Sequence, residues 1–260
     1  MSLVFERFLN GELHQVEVTR EGELIFPDYN IAHDQAALEF GYDHTDATML
    51  KEEWDEYAVE ALIYDVVADR IEPKYMARIV LEFAARSLHI EKRAHPGDDR
   101  AQNLLDASAE YLNGALDRQY LKALRTKLRG FGEYRGKRRG SDSEMAATLA
   151  RMAAYLASGA AFHCDTGRSA NWKLLLHNIF GATDKAAAAI AYDVCVANDT
   201  PAYVIKKVIM SRGRKWRLRN KSDAFDDAAA VESAWQIRRF VDVMEAVGQG
   251  FDWPDIKVTP

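Results

Sequence analysis

Cysteine is almost missing from this sequence: Cys164 and Cys195 are the only two in 260 residues. Two are too few for a disulfide framework, and too few for a structural zinc site without histidine help. Proline and glycine are also sparse, at 6 and 15, so long stretches lack the residues that break helices. No apolar run approaches the ~18 residues of a membrane span, which argues against a membrane protein. Residues 1–7 show no basic start leading into an apolar segment, so no signal peptide is expected. A Gly-rich phosphate loop is missing too, because Gly130-Phe131-Gly132 has neither a preceding strand nor a third glycine. Together these absences point to a reducing, cytoplasmic setting and to no cofactor.

What is present favours helix. Hydrophobic residues make up 48% and charged residues 28%, ordinary values for a folded chain. Alanine, the best helix former, dominates the apolar set. The first 28 residues are the exception. Val4–Leu9 and Leu13–Val18 flank Asn10-Gly11, a strong hairpin signal, and Leu24–Phe26 adds a third short strand before Pro27. Beyond Ile31 the apolar period becomes helical. Helices are expected at 33–40, 46–69, 74–93, from Asp98 or Asp99 to Leu112, and 117–128. Others follow from Ser141 or Asp142 to Phe162, at 170–180, 183–197 and 201–211, and from Asp226 to Val247.

The expected fold is therefore mainly α: a multi-helix bundle or irregular helical superhelix with a small N-terminal β-meander. The meander (residues 1–28) should rest on the body. A helical half at 29–129 and another at 141–260 would flank a basic Gly-rich loop at 130–140, either as two halves or as one continuous domain.

Charge is distributed unevenly. Net charge is −6, yet half of the 34 basic residues fall in two short segments. Residues 118–139 carry Arg118, Lys122, Arg125, Lys127, Arg129, Arg135, Lys137, Arg138 and Arg139 against the single acid Glu133. Residues 206–221 carry Lys206, Lys207, Arg212, Arg214, Lys215, Arg217, Arg219 and Lys221 with no acid. Such a division creates a strong internal field. Tyr120, Phe131, Tyr134 and Trp216 lie among these cations, and aromatics beside arginine suit a phosphate backbone or unpaired bases. The competing reading pairs the arginines with the acidic surplus, in this chain, in a second copy or in a partner protein. Arg129, Arg135, Lys137, Arg138, Arg139, Arg212, Arg214, Lys215, Trp216, Arg217 and Arg219 are the binding candidates on either reading.

One stretch carries a resemblance. Ala77 to Leu88 leads into His95-Pro96-Gly97-Asp98-Asp99-Arg100, followed by Leu104 to Gly114. This order of helix, Pro-Gly-Asp-Asp-Arg turn and alanine-rich helix is similar to bacterial helical immunity proteins of the Imm5-like family, over about residues 77–114. The resemblance implies a protein that binds and blocks a macromolecule rather than a catalyst.

Catalytic and metal patterns are weaker. His163-Cys164-Asp165-Thr166-Gly167-Arg168 looks like a phosphatase loop, but only three residues separate Cys164 from Arg168 where five are needed. Cys164 beside His163 or His177 could form a thiol–imidazole pair. His33-Asp34 lacks the helical histidine upstream that a phosphohydrolase metal site requires. No catalytic or metal residue is assigned. The leading reading is a non-enzymatic binding protein of immunity or inhibitor type with a protein partner. The alternatives are a nucleic-acid binder using the two basic segments and an enzyme whose site is assembled from distant residues.

Overall fold

The computed structural model of the chain describes residues 3–9, 12–18, 24–25, 71–128, 141–165, 172–209 and 215–248. The helices expected at 33–40 and 46–69 and the Gly-rich loop 130–140 lie outside the described residues. The described part is mainly α-helical.

Two compact units divide the chain, Met1–Glu72 with Ser233–Pro254 and Pro73–Glu232 with Asp255–Pro260. In the first, β1 (Leu3–Leu9), β2 (Glu12–Val18) and β3 (Leu24–Ile25) pair antiparallel in that order, Leu3 opposite Val18 and Glu17 opposite Ile25.

The second unit holds α1 (Pro73–Ala94), α2 (Arg100–Leu112), α3 (Arg118–Lys127), α4 (Asp142–His163) and α5 (Trp172–Ala197). Pro73 opens α1, where its missing N–H costs nothing. Ser141 caps α4 by a reciprocal box: Glu144 N–H donates to Ser141 Oγ at 3.2 Å and Ser141 N–H to Glu144 Oε2 at 3.1 Å. Asp117 caps α3 by accepting from Tyr120 N–H at 2.7 Å.

Helix α4 is the hub, with α1, α2, α3 and α5 all packed on it. Its buried face is Ala146, Ala147, Ala150, Ala153, Ala154, Ala157, Ala160 and Ala161. Methyl side chains let helix axes approach closely, so the alanine content that the sequence offers as helix propensity is also a packing device. Helices from both sides of residues 129–140 thus share one compact unit.

Two expectations are corrected. Residues 172–197 form one helix rather than two, because Gly181 sits in the interior and not at an end. A Cβ there would come within 2.8 Å of Leu156 Cδ1, so the residue serves close packing against α4. Residues 201–211 are not a helix: β4 (Tyr203–Ile209) pairs antiparallel with β5 (Lys215–Lys221). Tyr203, Val204, Ile205, Val208 and Ile209 are β-branched or aromatic, which favours strand over helix. The last helix, α6 (Asp223–Gly248), starts three residues early because Ser222 Oγ accepts from Phe225 N–H at 3.2 Å. It belongs to the second unit through Glu232 and to the first beyond it.

Candidate functional site

The β4–β5 hairpin is where the described residues meet the sequence candidates. Its base is fixed. Ala202 N–H donates to Asp142 Oδ2 at 3.2 Å, and Ser222 N–H to the Ala202 carbonyl at 3.0 Å. Tyr203 lies 5.8 Å from the Tyr192 ring and 6.1 Å from Phe225, and Tyr192 meets Phe225 edge-on at 5.0 Å. Ala202 and Phe225 join a core with Ile90, Ala146, Ala150, Ala189 and Cys195.

The register then sorts the basic residues. Tyr203 faces Lys221, Ile205 faces Arg219, Lys207 faces Arg217 and Ile209 faces Lys215. Strand residues alternate between faces, so Lys207, Lys215, Arg217, Arg219 and Lys221 share one face. At the base of that face Lys221 Nζ lies 5.5 Å from the Phe225 ring centre. Trp216 falls on the opposite face with Val204, Lys206, Val208 and Leu218. Arg129, Arg135, Lys137, Arg138, Arg139, Arg212 and Arg214 lie outside the described residues. The strand signal that could have found this sorting was the β-branched and aromatic content of Tyr203–Ile209.

A second cluster closes the C-terminal end of α4. Arg118 and Arg125 are seven residues apart on α3 and so share a face. Arg118 Cζ stands 4.5 Å from the Phe162 ring centre; Arg125 Cζ stands 5.8 Å from that ring and 4.8 Å from the Tyr155 ring. Arg125 Nη1 donates to the Tyr155 carbonyl at 3.0 Å. A glycine is needed beside it: a Cβ on Gly159 would lie 1.9 Å from Asn178 Oδ1 and 3.1 Å from Arg125 Nη2. His163 meets Phe162 edge-on at 5.1 Å. Burial, then the Arg125 and Arg118 charges, hold its pKa below the ordinary imidazole value. Burial likewise lowers the pKa of Arg125.

Cys164 follows. Its Sγ contacts the Ala161 carbonyl at 3.0 Å and Asp165 Oδ1 at 3.7 Å. Burial, then the Asp165 charge and hydrogen bond, push the thiol up to about 12. Tyr111 donates its hydroxyl to Asp165 Oδ2 and is itself pushed up, first by burial. His177, the other histidine considered for a thiol pair, is exposed on α5.

A third cluster forms around the Pro-Gly-Asp-Asp-Arg turn. Glu91 is fully buried and accepts from Arg151 Nε at 2.9 Å, with His95 Nδ1 at 3.8 Å. Gly97 turns the chain with φ +86. Arg100 Nε donates to Asp98 Oδ1 at 2.7 Å and Nη2 to Oδ2, which holds the Asp98 carboxyl down to about 2. Asp99 occupies the N-cap position of α2 without a side-chain cap bond, while Asp98 Oδ1 accepts from Arg100 N–H at 3.2 Å. Glu91 thus ties α1 to α4, while Asp98 and Arg100 close the turn locally at the start of α2.

Among the described residues no group of three or more His, Cys, Asp or Glu side chains is placed to hold a metal ion. No described helix is long and apolar enough to cross a membrane. No family model, no curated protein and no solved structure matches this chain.

Proposed function

We propose that this chain is a non-enzymatic binding protein of immunity or inhibitor type, a helical bundle with an N-terminal β-meander that acts by occupying a protein partner. The observation that carries the reading is the register of the β4–β5 hairpin. It gathers Lys207, Lys215, Arg217 and Arg219 on one face, outward from a base anchored on Tyr192 and Phe225. Like charges at opposing register positions, as at Lys207 and Arg217, are unfavourable in general, and an acidic surface laid on such a hairpin would be favoured.

The chemistry near Cys164 supports binding over catalysis. A thiol raised to about 12 is protonated at neutral pH, whereas a nucleophile needs the thiolate. The immunity-type resemblance at residues 77–114 points the same way.

The test reverses Arg214, Lys215 and Arg217 to glutamate and follows the protein that co-purifies from the native cells. The reading expects the partner to be lost while yield and circular dichroism stay unchanged. Full retention of the partner would move the binding face elsewhere. A second reading has its own support: a two-stranded ribbon fits the major groove of a duplex. It predicts co-purifying nucleic acid, with affinity falling steeply as salt rises.

A further inference from the structure

We infer that Arg118 and Arg125, beside His163, form a binding site for a single phosphate group at the C-terminal end of α4, separate from the hairpin. The argument starts from donors. A guanidinium carries five N–H groups. Arg118 spends one on the Phe162 carbonyl, at a long 3.5 Å, and Arg125 spends one on the Tyr155 carbonyl. Among the described residues neither has a carboxylate within ion-pair distance, and their remaining contacts are with aromatic rings.

A guanidinium withdrawn from water without a counter-charge is costly, and Arg125 is in that position, as its lowered pKa reflects. Asp165 accepts from the Tyr111 hydroxyl and makes no ion pair with Arg118 or Arg125 among the described residues. Both guanidiniums stand within 6 Å of one phenyl ring, at 4.5 and 5.8 Å, and their charges act together on His163. Stacking on Phe162 and Tyr155 fixes the arginines in advance, so a ligand need not order them. Positive charge and unused planar donors on two fixed arginines suit a tetrahedral oxoanion, with an imidazole close enough to sense it. A bound dianion would favour the imidazolium and so raise the His163 pKa.

The full chain is titrated with inorganic phosphate and, in parallel, with phosphoserine, each against sodium chloride of equal ionic strength. The His163 ring proton is followed by NMR. The site predicts saturable binding, a higher His163 pKa in the bound state, and at least tenfold weaker binding in R118Q. Arg118 is exposed, so R118Q should fold; R125Q supplies a second variant. Tighter binding of phosphate assigns the free ion, and tighter binding of phosphoserine assigns a phosphate carried on a larger ligand. A response no greater than the chloride control, an unmoved His163, or unchanged affinity in R118Q would overturn the site. The hairpin variant K215E/R217E should bind phosphate normally, which keeps this result independent of the partner surface.

Discussion

His163 has its pKa lowered by burial against Phe162 and by the charges of Arg125 and Arg118. In the unfolded chain the same imidazole titrates near ~6.5. Its proton is therefore taken up on unfolding, so this contribution to stability is complete above pH ~6.5 and falls as pH drops below it. Urea midpoints measured between pH 7.5 and 5 should decline with acid in the wild type and decline less in H163N. An identical slope in both would place the acid sensitivity elsewhere. The residues around His163 were only partly legible in sequence. Arg118 and Arg125 stood out as members of a basic run, but their spacing of seven, matched by Tyr155 and Phe162 on α4, acquires meaning only once α3 and α4 are packed together. The Cys164 neighbourhood could be dismissed as a phosphatase loop by counting residues, whereas the protonated state of the thiol depends on burial that counting does not reveal.

Helices with a marked start and stop could be read directly. Pro73, the Pro96-Gly97 turn, Asp117 and the Ser141–Glu144 box each supply a physical terminus, and the observed bounds follow them. Reading failed where the signals conflicted. Residues 181–182 are expected to separate two helices, yet Gly181 lies inside one, against Leu156; β4 is expected as a helix although Tyr203, Val204, Ile205, Val208 and Ile209 favour strand. The hairpin is also where stability and binding can be separated. Lys207 lies opposite Arg217 in the register, and opposite charges at such positions are favoured over like ones by about 0.5 kcal/mol, so Lys207→Glu should not cost stability. Thermal denaturation should show an unchanged or slightly raised Tm, while partner affinity falls. Loss of stability together with affinity would mean that Lys207 supports the fold and not the binding face.

Across the second unit the cohesion is both apolar and ionic. Alanine faces bring α4 close to its neighbours, and charges tie elements distant in sequence. Glu91 pairs with Arg151, and the nearly buried Glu232 takes both Arg86 Nε and Nη2, at 3.1 and 2.8 Å. A buried pair owes much of its apparent strength to the penalty of leaving one partner alone. Arg151→Met should therefore cost about 3 kcal/mol, and adding Glu91→Leu should recover much of the loss, both read as shifts in urea midpoint. Additive losses in the double variant would contradict that account. The same unit also carries the hairpin, whose cations stand out in a chain of net charge −6. The central claim is that these cations meet an acidic protein. It is tested most directly by native mass and the ratio of absorbance at 260 and 280 nm, measured on the protein purified from its own cells at low and then high salt. The account predicts a stoichiometric protein complex with a protein-like absorbance ratio, dissociated by salt and missing from K215E/R217E/R219E. Nucleic acid in the low-salt material, or a complex that survives in that variant, would contradict it.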